Sequence, residues 1–177
     1  MTDKVKDIIN NQINEEFYSA YLYLAFAAKL EKWGFKGAAS WMKVQAQEEN
    51  DHALGLFRFL LDRGEEPKLK AIASPEAESF KNMLDIFSAG LAHEKHITAC
   101  INNIYELARE EKDYALESFI KWYIDEQIEE EANATEIIDK LKLIGDNGSA
   151  IYMLDQELRA RLYIPSGPYA ASNAAKA

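Results

Sequence analysis

One offset of 78 residues maps Glu16 onto Glu94, Glu48 onto Glu126, Glu49 onto Gln127 and His52 onto Glu130. Glu16 to Glu49 and Glu94 to Gln127 are each 33 residues apart. The residues around these positions show what the spacing serves. Ile9, Ile13, Glu16, Ala20, Tyr23, Ala27 and Leu30 recur at alternating steps of four and three, the stripe a helix turns to a bundle core. Ala38, Met42, Gln45, Glu49, His52, Leu56 and Phe59 repeat it, then Phe80 to Ala108 through Glu94, then Leu116 to Ile144 through Gln127 and Glu130. Residues three apart share a helix face, so Glu49-x-x-His52 and Gln127-x-x-Glu130 each project as a pair. Four long helices therefore each carry polar residues near the middle of an otherwise apolar stripe.

The connections order these helices. Thr2-Asp3 caps the first. Trp33-Gly34-Phe35-Lys36-Gly37 and Glu110-Glu111-Lys112-Asp113 are short breaks, which make the helices on either side antiparallel neighbours. Glu65–Ser74, which contains Pro67 and is followed by Pro75, has no sustained period. With its flanks it is roughly 12 residues, able to span about 40 Å, and the second helix is itself about 40 Å long. The segment can return the chain along the bundle. Ser74-Pro75-Glu76 is the predicted start of the third helix. Gly145-Asp146-Asn147-Gly148 ends the fourth, Ser149 caps a short fifth with Ile151, Leu154, Leu158 and Leu162 on one side, and Pro165-Ser166-Gly167-Pro168 stops it. The expected fold is all-α: an antiparallel four-helix bundle with one long crossover between helices 2 and 3 and a short fifth helix. It spans residues 1–164, followed by a flexible tail over 165–177.

The chemistry follows from what such a core must bury. Several ionised carboxylates brought together out of water cost several kcal/mol each. Protonation can relieve this, and so can bound cations. Any one inward acid fits an ordinary satisfied carboxyl. Four acids, one imidazole and one amide at one level favour cations, and mixed carboxylate–imidazole donors suit divalent iron or manganese. Two ions bridged by Glu49 is the natural arrangement: Glu16, Glu49 and His52 on the first, Glu49, Glu94 and Glu130 on the second, Gln127 nearby. A formal net charge of −10 disfavours nucleic acid as a partner. The single Cys100 excludes a cysteine zinc site and an internal disulfide. With neither a leader-like stretch nor an apolar run of membrane-spanning length, a cytoplasmic protein is expected.

One Glu from each of two helices with Glu-x-x-His from the other two is an established di-iron bundle layout. The sequence resembles the ferritins, most closely the non-haem bacterial and archaeal type. The resemblance is carried by Asn14-Glu15-Glu16-Phe17-Tyr18-Ser19, Ala46-Gln47-Glu48-Glu49-x-x-His52, His93-Glu94 and Trp122-Tyr123-x-x-Glu126-Gln127-x-x-Glu130. Gln127-x-x-Glu130, in place of a second Glu-x-x-His, sets the chain apart from bacterioferritins and rubrerythrins. No haem is expected, and Met42 reads as packing. The resemblance implies a ferroxidase that oxidises Fe(II) with O2 or H2O2 and stores ferric mineral in a hollow homo-oligomeric shell of twenty-four subunits. It makes Glu16, Glu49, His52, Glu94 and Glu130 iron ligands and gives Gln127 a role in positioning oxygen. Glu48, Glu126 and Glu129 resemble a third iron site sharing Glu130, and Tyr23 and Trp122 an electron-donating aromatic pair. Acids at Glu110, Glu111, Asp113 and Glu117 would lie near a channel of the shell. The apolar side of residues 149–162 asks for burial at a symmetry axis. Alternatives are a di-iron peroxidase or oxidase without storage, and an iron-free structural subunit.

Overall fold

Thr2 starts the first helix as its sequence suggests, its hydroxyl accepting a hydrogen bond from the Val5 N–H at 3.4 Å. The computed structural model describes residues 1–75, 79–165 and 167–169. They form α1 (Asp3–Lys32), α2 (Lys36–Asp62), α3 (Met83–Glu110), α4 (Tyr114–Ile144) and α5 (Gly148–Leu158). Asp113 caps α4 through Leu116 N–H at 3.1 Å, while its carboxylate takes both guanidinium nitrogens of Arg63 at 2.9 and 3.1 Å. The end of α2 is thereby tied to the start of α4.

The third helix begins later than Ser74-Pro75 predicts. Its N-cap is Asn82, whose Oδ1 accepts from Asp85 N–H at 2.8 Å. Residues 79–82 are not helical, and Glu76 lies outside the described residues. The reason is distance: a helix climbs about 1.5 Å per residue and an extended chain about 3.3 Å, so the connection needs these residues unwound to cover the bundle's height. Its course can be followed along α1. Glu65 meets Lys6 at 3.6 Å, the Lys68 N–H donates to Asn10 Oδ1 at 2.6 Å, and Phe80 packs edge-on against Phe26 with ring centres 5.4 Å apart. The crossover thus runs the length of α1 in α1's own direction, and α3 descends parallel to α2 and antiparallel to α1 and α4.

α5 is held differently from what its sequence suggests. Its cap is Asn147, which accepts from Ala150 N–H at 3.1 Å, rather than Ser149. Leu154 and Leu158 are buried in this chain's own core, so these two residues of the stripe do not need a symmetry axis to cover them. Leu162, Tyr152 and Met153 are the exposed apolar residues here. Asp155 explains the docking. Phe35 gives α2 no side-chain cap, and Asp155 Oδ1 instead accepts from Ala38 N–H at 2.9 Å. The approach is so close that a Cβ on Gly37 would stand 1.6 Å from the Asp155 carbonyl oxygen, which makes glycine obligatory there. Beyond α5, Tyr163 donates to Asp51 Oδ2 at 2.7 Å and the Tyr169 ring lies 6.0 Å from Phe119. Ser166 and 170–177, where a flexible tail is expected, lie outside the described residues.

The core is divided. One apolar cluster holds Phe26, Leu30, Met42 and Phe87 with Leu154 of α5; the other holds Ile9, Ile13, Leu56, Ile101 and Ile120. Between them, at the waist of the bundle, lies a buried polar layer with contributions from all four long helices. Among the described residues no helix is long and apolar enough to cross a membrane.

Candidate metal centre

Mid-helix placement brings Glu16 from α1, Gln45, Glu49 and His52 from α2, Glu94 from α3, and Gln127 and Glu130 from α4 into that layer, each at most 5% exposed. One ligand atom from each of Glu16, Glu49 and His52 lies within 4.8 Å of the other two, the single such group among the described residues. His52 Nδ1 is 3.4 Å from Glu49 Oε2, and its Nε2 is 3.8 Å from Glu126 Oε1. Tyr123 fixes the backbone beneath it by donating its hydroxyl to the His52 carbonyl at 2.8 Å, and a Cβ on Gly55 would sit 2.5 Å from the Tyr123 hydroxyl oxygen.

Amides and one phenol bind the acids together. Gln12 Nε2 donates to Glu16 Oε1 at 2.8 Å, whereas Glu16 Oε2 receives no hydrogen bond from a described donor. Gln45 Nε2 donates to Glu49 Oε1 at 3.1 Å and Glu130 Oε2 at 2.7 Å, spanning the two Glu-x-x-X pairs. Tyr23 donates its hydroxyl to Glu94 Oε1. Gln127 Nε2 lies 3.2 Å from Glu94 Oε2 and 3.1 Å from the Glu94 carbonyl, so its amide serves Glu94.

Protonation follows burial. Removal from water, then the charge of Glu49, pushes both Glu16 and Glu130 up to about 8. The same two causes, with Glu130 as a further neighbour, raise Glu94 well above the usual carboxyl range. Burial also works against Glu49, but His52 beside it and the Gln45 amide reverse this and hold it below its ordinary value. Burial opposes charge on His52, and the carboxylates of Glu126 and Glu49 outweigh it and raise the imidazole well above its usual range. Burial and three surrounding acids keep Tyr23 protonated. Clustered acids that hold protons at neutral pH, with an oxygen lacking a donor, fit divalent cations that would replace those protons.

The remaining expected residues stand around this layer. Trp122 is half-buried with its ring edge-on to His52, centres 5.4 Å apart. Glu48 is paired with Arg161, Glu126 is half-buried beside His52, and Glu129 is exposed. Burial raises Glu48 to about 7 even against the Arg161 charge. His93 and His96 lie outside the layer, on Ser19 at 2.7 Å and Glu15 at 3.2 Å. Cys100 is half-buried, 3.6 Å from His96. Sequence reasoning missed Gln12 and Arg161. Gln12 leaves a signal, a polar residue one turn before Glu16. Arg161 leaves none, because it reaches Glu48 only by tertiary return of the chain.

Four helices closed around a buried carboxylate–histidine waist define a metal-binding bundle of the ferritin-like class. Residues 6–144 match the ferritin-like domain. The bacterial non-heme ferritin of Staphylococcus saprophyticus is 39% identical over 163 residues, covering 92% of this chain and 97% of the relative. That of Staphylococcus haemolyticus is 38% identical over 157 residues, covering 89% and 94%. An open pore ferritin from the archaeon Archaeoglobus fulgidus has a TM-score of 0.90 and 42% identity, covering 92% of this chain and 99% of that one. The chain belongs to the ferritin family.

Proposed function

We propose that this protein is an iron-storing ferroxidase. It binds two Fe(II) ions side by side at the waist, oxidises them, and deposits the ferric product as mineral inside a hollow homo-oligomeric shell, of twenty-four copies in the family's manner, in the cytoplasm. The observation that carries this reading is the buried layer itself, in which four carboxyls and one imidazole meet and Glu49 interacts with both halves.

Glu16, Glu49 and His52 take the first Fe(II), and Glu49, Glu94 and Glu130 the second. Each ion gives up one electron. O2 takes two electrons and two protons to become hydrogen peroxide, or hydrogen peroxide takes two of each to become two waters. Protons are available where they are needed, since Glu16, Glu94 and Glu130 hold them at neutral pH and release them when a cation arrives. Tyr23 holds Glu94 from one side and Gln127 from the other, which sets the direction of its carboxyl toward the second ion. Trp122, whose ring lies edge-on to His52, serves as an electron donor, and Gln127 borders the position where oxygen would sit. Glu48, Glu126 and Glu129, with Glu130, form the outer third position.

Aerobic Fe(II) addition followed optically tests the centre. Glu49→Ala is expected to lower the oxidation rate by about a hundredfold or more, since it removes the shared ligand; a wild-type rate would sink the proposed centre. Gel filtration tests storage, because a monomer or dimer under all conditions is incompatible with a shell.

A further inference from the structure

Arg161 follows α5, beyond the residues matched to the ferritin-like domain, yet it reaches the rim of the metal layer. Its Nη1 donates to Gln45 Oε1 at 2.7 Å, and its Nη2 donates to Glu48 Oε2. The guanidinium lies over the Trp41 ring, 4.3 Å from the centroid. A planar fork held on three sides has little freedom, and lysine, a single point charge, cannot reproduce the two directed bonds and the stacking together.

The consequence for Gln45 is directional. This residue is fully buried, with its carbonyl oxygen facing the guanidinium. Its Nε2 must then face inward, where it donates to both Glu49 and Glu130. A flipped amide would set its NH2 against the guanidinium and its carbonyl oxygen against the ionised Glu49. The fixed arginine therefore decides which end of Gln45 meets the two acids. The consequence for Glu48 is one of charge. This acid interacts with Glu126 on the outer side of His52, and any cation bound there must share Glu48 with a guanidinium that stays charged at every relevant pH.

We propose that Arg161 is a positioning residue of the centre: it orients Gln45 so that Glu49 and Glu130 are held together, and it occupies Glu48 so that the outer acids take a third cation only weakly. This rests on the reading of Glu49 and Glu130 as ligands. The two roles separate in two substitutions. Arg161→Gln removes the charge and the fork, whereas Arg161→Lys keeps the charge and loses the fork.

Calorimetric titration of the metal-stripped protein with Zn2+ reads both. Arg161→Gln is expected to weaken the second ion and to tighten a third by about tenfold, the effect of removing one like charge in contact range. Arg161→Lys is expected to weaken the second ion to the same degree and leave the third weak. Wild-type isotherms for both variants overturn the proposal. So does an equal loss at every ion in both variants together with a lowered melting temperature, which marks a merely structural role. Should Arg161→Gln not fold, Arg161→Lys alone decides, since an unchanged second ion overturns the orienting role. Glu49→Ala is titrated alongside. If it binds ions as the wild type does, the ligand reading itself fails; if it loses them while the Arg161 variants match wild type, only the role of Arg161 fails.

Discussion

The α1–α2 half of the waist and the α3–α4 half carry corresponding residues, but their acids are held in different ways. Glu16, Glu49 and His52 stand within 4.8 Å of one another, and Glu16 keeps one oxygen with no described donor. Glu94 is gripped from both sides by Tyr23 and Gln127, and Glu130 is held by Gln45. The first half presents an imidazole and a free oxygen. The second presents two carboxyls, Glu94 hydrogen-bonded at both oxygens and Glu130 at Oε2, and no imidazole. An entering cation must compete with those hydrogen bonds, so the second position should be the weaker and more exchangeable one. Similar residue types at matched positions therefore do not make equivalent sites; their hydrogen-bond partners separate them.

Removing one ligand from each half breaks the comparison most directly. His52→Ala is expected to weaken the tighter ion by about a hundredfold, and Glu130→Ala to abolish the weaker ion and leave the tighter in place. Zinc titration of both variants checks this, and the opposite order would show the α3–α4 half to be the stronger.

A change of pH should act on both halves together. Glu16 and Glu130, pushed up to about 8, carry protons at pH 7 that cations must displace. Affinity should therefore rise by about tenfold per pH unit for each displaced proton between pH 6 and 8. Stability without metal runs the other way. Across the window from about 4.5 to 8 the folded protein binds more protons at these carboxyls than the unfolded chain does, so stability falls as pH rises. Melting curves of metal-stripped protein at pH 5 and 8 test the sign; a higher melting temperature at pH 8 would contradict the buried-proton account.

Smaller substitutions sharpen the contrast. Tyr23→Phe frees one oxygen of Glu94 and should change the second ion's affinity by about tenfold, leaving the first alone. Gln12→Leu removes the one donor to Glu16 and should alter only the first ion, by about threefold. Titrations that moved both ions in either variant would show the halves to be coupled.

Much of this was legible in the sequence. The stripes of alternating four and three placed Glu16, Glu49, His52, Glu94 and Glu130 inward because a helix converts spacing into direction. The charged and glycine turns gave the antiparallel order. The start of α3 was not legible, since Ser74-Pro75 is a good local signal and only the height of the bundle overrides it. Nor was the burial of Leu154 and Leu158, which depends on Asp155 capping α2 from a distant helix and on Gly37 letting it approach. Arg161 was invisible for the same reason: its partners are fixed by the path of the chain after α5.

The crossover along α1 has a consequence for the order of folding. It splits the molecule into two helical hairpins, each closed by a short turn. All of Glu16, Glu49 and His52 belong to the first hairpin, so its ligand set is formed by local contacts. Glu94 and Glu130 belong to the second and lack Glu49 until the two hairpins dock. Capture of the first cation is thus expected to need one hairpin, and capture of the second to report that both have come together.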